Sequence, residues 1–220
     1  NKASVLVGDF LFSRAFELMV ADGSLEVLKI LSNASSVIAE GEVHQLVTAN
    51  DTDTTEQDYL EVVQAKTAKL FAAAAEIGAV VSDRPKEKQR KLEDFGHHLG
   101  MAFQLIDDVL DYSAQQTTLG KAVGDDFRDG KITLPIVLSF RSGDEKERIF
   151  WRRTLEDLEQ KKGDFKRAVQ YLENSGALIA TVERAREYSR KALDSLSIFP
   201  DSEHKQALTE AAKFAVERSY

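Results

Sequence analysis

Met101-Ala102-Phe103-Gln104-Leu105-Ile106-Asp107-Asp108-Val109-Leu110-Asp111-Tyr112 is the stretch on which the reading of this chain turns. Asp107 and Asp111 stand four apart and share a helix face, while Asp108 is turned away by about 100°. Their neighbours are apolar enough to belong in a core, where a carboxylate protonates unless a counter-charge reaches it. Three hard oxygen donors on one helix, in a sequence without cysteine, suit Mg²⁺. That ion keeps several waters and shares its coordination with substrate phosphates. DDxxD alone is a weak signal, equally at home in a solvated or salt-bridged acidic stripe. The apolar flanks favour the metal.

Working outward, Gly120-Lys121-Ala122-Val123-Gly124-Asp125-Asp126-Phe127-Arg128-Asp129-Gly130-Lys131 follows as a loop. Its lysines are placed to neutralise phosphate oxygens as point charges. Asp125, Asp126 and Asp129 are expected to hold those lysines, or waters, before they bind metal. Upstream, Lys66-Thr67 lies inside a helical run, and Gln104 sits one turn before the acidic pair. Each has an ordinary alternative, as a solvated lysine or a satisfied core amide.

Periodicity of 3.6 appears almost everywhere and strand alternation nowhere, so the expected class is all-α. Helices are predicted at about 4–21, 24–48, 54–81 and 86–112, then at 133–142, 144–161, 164–174, 177–197 and 202–218. Asp22-Gly23 and Asp83-Arg84-Pro85 act as stops. Thr54 and Gln57 have the spacing of a capping box. Gly96 and Gly100, four apart, read as a site of close helix packing. His44, His97, His98 and His204 read as structural or surface residues. Trp151 and the charged late helices read as an outer layer.

The 220 residues form one domain, 43% hydrophobic and 30% charged. A net charge of −8 argues against nucleic acid as a partner. No apolar run reaches the roughly 18–20 residues that span a bilayer. The absence of cysteine rules out disulfides, a thiolate metal site and a cysteine nucleophile, and fits a reducing cytoplasm.

Taken in order, Lys66-Thr67, Phe103 to Asp111, Gly120-Lys121, Gly124-Asp125-Asp126 and Gly130-Lys131-Ile132-Thr133-Leu134-Pro135 resemble the trans-isoprenyl diphosphate synthases. Val7-Gly8-Asp9-Phe10-Leu11 and Glu40-Gly41-Glu42 add to the likeness. The resemblance implies the isoprenoid synthase fold, a bundle of long antiparallel helices around a central cavity, in a homodimer. It implies Mg²⁺-dependent head-to-tail condensation of an allylic diphosphate with isopentenyl diphosphate. Asp107, Asp108 and Asp111 would be the second aspartate-rich motif, which binds the metal. Lys66, Lys121 and Lys131 would contact the diphosphate. Thr67 and Gln104 would place oxygens along the reacting allyl group. The start of the chain resembles long-chain enzymes that make octaprenyl to decaprenyl tails for quinones, with Phe10, Leu11, Phe12 and Phe16 as candidates for the cavity wall. The family's first aspartate-rich motif, its arginine pair and the basic residues that hold isopentenyl diphosphate have no counterpart in these residues. The domain is therefore expected to be incomplete at its N-terminus, and this polypeptide alone to have little synthase activity. An inactive partner subunit and a class I terpene cyclase are the rival readings.

Overall fold

The structure, a computed structural model, describes residues 2–113 and 124–218. Two long helices open the chain, α1 (Lys2–Asp22) and α2 (Leu25–Thr48), with Ser24 capping α2 through its side chain. α3 (Glu56–Val63) runs into a π-helical turn, Gln64–Ala68, and continues as α4 (Lys69–Val80). α5 (Lys86–Leu110) then returns antiparallel to α4. A single turn, α6 (Asp125–Arg128), precedes α7 (Leu134–Ser142) and α8 (Glu145–Trp151), and α8 ends in a second π turn, Arg152–Glu156. α9 (Asp164–Asn174), α10 (Ala177–Ser195) and α11 (Glu203–Glu217) complete the order. No strand occurs among the described residues.

α5 is the axle of the molecule. One face presents Gly96 and Gly100, where an added Cβ would lie 2.3 Å from the Phe71 carbonyl oxygen and 2.7 Å from the Ala68 Cα. Glycine there lets the α4 and α5 backbones touch, as the four-residue spacing predicts. The opposite face carries Met101 and Leu105, which share a buried cluster with Val182 and Ala185 of α10 and Leu134 and Val137 of α7. With helices on two sides, the C-terminal turns of α5 are held rigidly where the aspartates emerge.

Several local expectations are corrected. The capping box uses Thr55 and Asp58, not Thr54 and Gln57: the Asp58 amide donates to Thr55 Oγ1 at 3.1 Å, and the Thr55 amide donates to Asp58 Oδ2 at 2.9 Å. Thr54 is buried and its amide closes a turn on the Asp51 carbonyl, so the helix starts one residue later. The helix predicted over 144–161 is cut short by the π turn and ends before Leu158, which has a positive φ of 55°. Trp151 does not belong to an outer layer. It is 0% exposed and packs with Phe150, Leu155 and Leu172 in a second core cluster. Phe10, Leu11 and Phe12, the candidates for the cavity wall, project from α1 at 66%, 60% and 56% exposure.

Candidate active site

Lys66 and Thr67 occupy the π turn between α3 and α4, marked by the Lys69 amide bonding back to the Gln64 carbonyl five residues earlier. Such turns insert a residue and re-aim side chains, and they concentrate at functional sites. Here adjacent residues that an α-helix would splay apart both line one hollow of about 270 Å³. α2 closes against this turn because residue 41 is glycine; a Cβ there would sit 2.8 Å from Ala65 Cβ. That approach brings Glu42 and Gln45 to Lys66 Nζ, at 3.0 Å and 2.6 Å.

The same hollow is lined by Gln104, Asp107 and Asp108 of α5, by Tyr59 of α3, and by Asp126, Lys131 and Thr133. Of the sequence-selected residues, Lys66, Thr67, Gln104, Asp107, Asp108 and Lys131 thus come together. Asp111 lies just behind them, and Lys121 lies outside the described residues. A larger hollow of about 700 Å³ opens between α2, α4 and α5. It is lined by Glu40, Glu61, Glu93 and Lys69 and holds none of the selected aspartates or lysines, which gather at the smaller one.

The three aspartates of the motif have different surroundings. Asp107 is the most open, with Arg218 Nη1 at 3.9 Å. Asp108 is 3% exposed, and both its oxygens are engaged: Tyr59 Oη donates to one at 2.5 Å and Gln104 Nε2 to the other at 2.8 Å. Burial pushes its carboxyl up to about 7; the two hydrogen bonds oppose this, and the charges of Asp126 and Asp107 add to it. Asp111 accepts the backbone amides of Asp125 and Asp126, at 3.2 Å and 3.0 Å, and so pins the start of α6. Its carboxyl is raised by burial and by the nearby Asp126 charge. Lys131 bonds Asp126 at 2.6 Å and lies 3.5 Å from Asp129, as expected of those carboxylates, and Asp125 pairs with Arg128. Burial pulls the Lys131 ammonium down, yet the bond and charge of Asp126 outweigh it and leave it raised.

Among the described residues no three His, Cys, Asp or Glu side chains gather closely enough to cage a metal on their own. The arrangement fits a different guest. In the acidic rim of Asp107, Asp108 and Asp126, Lys131 reaches Asp126 and Arg218 lies 3.9 Å from Asp107, while the buried Asp108 is held by the neutral groups of Tyr59 and Gln104 and its carboxyl is raised to about 7. Lys66 and Lys131 on the same wall lack anions beyond the carboxylates that hold them. A divalent cation carrying a diphosphate satisfies both, since the phosphate oxygens and waters complete the metal's octahedron.

Sequence reading missed Tyr59, Glu42, Gln45 and Arg218. Tyr59 stands seven residues before Lys66, two turns away on nearly the same face, and that spacing could have singled it out. Arg218 could not have been found this way. It reaches the site only through the return of α11, its guanidinium 4.0 Å from the Phe103 ring centre and its Nη2 donating to the Phe103 carbonyl at 2.8 Å.

Known proteins resemble the chain in sequence and fold. A family model described as polyprenyl synthetase matches residues 1–172. The chain is 42% identical over 220 residues to an octaprenyl diphosphate synthase of Haemophilus influenzae, covering 100% of this chain and 67% of that protein. It is 40% identical to an all-trans-nonaprenyl-diphosphate synthase of Rhodobacter capsulatus, covering 99% and 66%. Among solved structures, a polyprenyl synthase from Caulobacter crescentus in complex with calcium and isoprenyl diphosphate superposes with a TM-score of 0.96 at 50% identity, over 100% of this chain and 67% of that one. The chain therefore spans about two thirds of the length of these relatives, and it belongs to the polyprenyl synthetase family of prenyltransferases.

Proposed function

We propose that the protein is a long-chain trans-polyprenyl diphosphate synthase, joining an allylic diphosphate head-to-tail with isopentenyl diphosphate in the presence of Mg²⁺. The observation that carries this is the single hollow shared by Lys66, Thr67, Gln104, Asp107, Asp108 and Lys131. Asp107 would offer the most accessible oxygens for the cation, with Asp108 and Asp111 held beside it in fixed positions by their hydrogen bonds. When bound, Mg²⁺ supplies charge that stabilises the departing diphosphate. Lys66 and Lys131 bind and orient that group, exchanging Glu42 and Asp126 for phosphate oxygens. Lys121 would join them.

Breaking the carbon–oxygen bond leaves an allyl cation, which must be kept from water. Val62, Val63 and Ile132 supply apolar wall, and the oxygens of Thr67 and Gln104 supply lone pairs. The double bond of isopentenyl diphosphate then attacks, and a proton is lost; no protein nucleophile is needed. We place the product among the octaprenyl to decaprenyl diphosphates, for quinone side chains, and the enzyme in the cytoplasm as a homodimer. The relatives' names support the chain length. The bare apolar face of α1, with Val7, Phe10, Leu11 and Leu18 exposed, supports a second copy. No described helix is long and apolar enough to cross a membrane.

The test is incubation of the full-length protein with farnesyl diphosphate, isopentenyl diphosphate and Mg²⁺, followed by sizing of the products. Long linear polyprenyl diphosphates are expected. A cyclic hydrocarbon, or no elongation at all, would overturn the reading. Asp107→Ala should lower kcat/KM by at least about a hundredfold with helicity intact by circular dichroism.

A further inference from the structure

A continuous chain of hydrogen bonds crosses the site. Thr67 Oγ1 donates to Gln104 Oε1 at 3.1 Å, Gln104 Nε2 donates to Asp108 Oδ1 at 2.8 Å, and Tyr59 Oη donates to Asp108 Oδ2 at 2.5 Å. The direction of this chain matters more than its strength. An amide can present either its oxygen or its N–H groups, and only its partners decide which. A carboxylate at the far end accepts, so it holds the Gln104 NH₂ and turns Oε1 toward Thr67. Thr67 then donates its one proton to Oε1 and keeps its lone pairs for the cavity. With the amide reversed, N–H dipoles would face a developing cation and oppose it.

We propose that Tyr59 is a positioning residue for this chain: the Asp108 carboxylate sets its polarity, and the Tyr59 hydroxyl holds that carboxylate in orientation, so that the lone pairs of Gln104 and Thr67 stay aimed at the reacting allyl carbon. Tyr59 is itself only 6% exposed and is packed in the cluster of Val63, Met101 and Leu105, so its hydroxyl has a fixed position from which to act. Its role is thus separate from metal binding, although it touches a member of the acidic motif. The inference rests on the synthase reading above.

Tyr59→Phe removes the hydroxyl and keeps the ring. In the full-length protein, kcat should fall about tenfold, with KM for the allylic diphosphate and the half-saturating Mg²⁺ concentration within about twofold of wild type. The double variant Tyr59→Phe/Thr67→Val should be no more than about twofold slower than Thr67→Val alone, because one chain has already been broken. Tyr59→Leu, which also removes packing, should lower the thermal midpoint further than Phe without a matching further loss of kcat. An unchanged kcat in the Phe variant would overturn the proposal. So would additive effects with Thr67→Val, a loss seen only in the Mg²⁺ requirement, or a kcat that merely follows the thermal midpoint across the two variants. A wild-type protein that elongates nothing would sink the synthase reading and this inference together, whereas an active wild type with any of those outcomes sinks this inference alone.

Discussion

α1 and α5 are both long, both rich in apolar residues and both broken by glycine, yet the fold treats them oppositely. Along α5 the glycines are meeting points of backbones, and Met101, Ala102, Leu105 and Ile106 beyond them are buried. On α1 only Met19 is buried, and a Cβ added at Gly8 would meet nothing within 4 Å. Apolar content therefore does not identify a core helix; having apolar partners on facing helices does. α5 faces α4 and α10, whereas α1 meets the rest of the chain chiefly through α2. The functional consequence follows. Aspartates on α5 are held by packing on two sides, while α1 leaves its apolar side chains exposed.

The contrast can be broken most forcefully at Gly96. Leucine there would drive its Cβ into the Phe71 carbonyl and the Ala72 Cα, both backbone, at 2.3 Å and 2.8 Å. Backbone cannot swing aside as a side chain can, so α4 and α5 would have to separate along the seam that supports the site. Gly96→Leu is expected to cost upwards of about 5 kcal/mol and to leave little folded protein, measured by urea denaturation. A variant with a near-native midpoint would show that the helix seam is looser than the α5 packing requires.

A somewhat smaller effect sharpens the same comparison through pH, since burial on α5 has a titration signature that an exposed helix lacks. The Asp108 carboxyl is raised from 3.8 to about 7 in the folded state. A folded state that holds a proton more tightly than the unfolded chain loses stability as pH rises between those values, and the loss levels off above the higher one. Three units correspond to about 4 kcal/mol at most. Asp108→Asn removes this dependence. Without ligands, the Asn variant should gain on wild type progressively from pH 4 to pH 7 and hold its advantage at pH 8, in denaturation experiments at each pH. Its turnover should nevertheless fall, because an amide at 108 offers one acceptor where the carboxylate offers two, so Tyr59 and Gln104 can no longer donate to separate oxygens. A constant difference between the two proteins across pH 4–8 would show that Asp108 is not strained by its burial.

Motif spacing made the composition of the hollow legible, but not the division of labour within it. Asp107 and Asp108 were readable because helical spacing and apolar flanks are local properties, whereas Lys66 and Gln104 were singled out only by the family resemblance. That Asp108 turns to Tyr59 while Asp107 stays open depends on where α3 lies, and α3 is 49 residues away in the chain. Tyr59 itself looked like any aromatic in an apolar run. The π turn that presents both Lys66 and Thr67 was also hidden, because one inserted residue hardly disturbs a 3.6-residue pattern over so short a stretch. Trp151 was misplaced for the opposite reason. Its charged neighbours Arg152 and Arg153 suggested a surface, but guanidinium groups lying over Phe140 and Phe150, 5.4 Å and 5.6 Å from the ring centres, cover a core instead of marking its absence.

The smallest expected effect lies on α1, and it separates what that helix is within one chain from what it becomes in an assembly. Gly8 is helical with open space around it, so Gly8→Ala meets no clash and removes the entropic penalty of glycine in a helix. Within a single chain this should stabilise α1 by about 0.5–1 kcal/mol, a slight rise in helicity and in thermal midpoint. A homodimer built on α1 puts a different condition on the same methyl group: where two copies cross closely at Gly8, the methyl would hold them apart. Sedimentation of the Ala variant therefore reads the interface itself. Unchanged association with a slightly raised midpoint places the crossing elsewhere on α1, toward Phe10, Leu11 and Leu18. Weakened association with undiminished helicity would make Gly8 a second backbone meeting point, and α1 would then resemble α5 after all, its partner supplied by another chain.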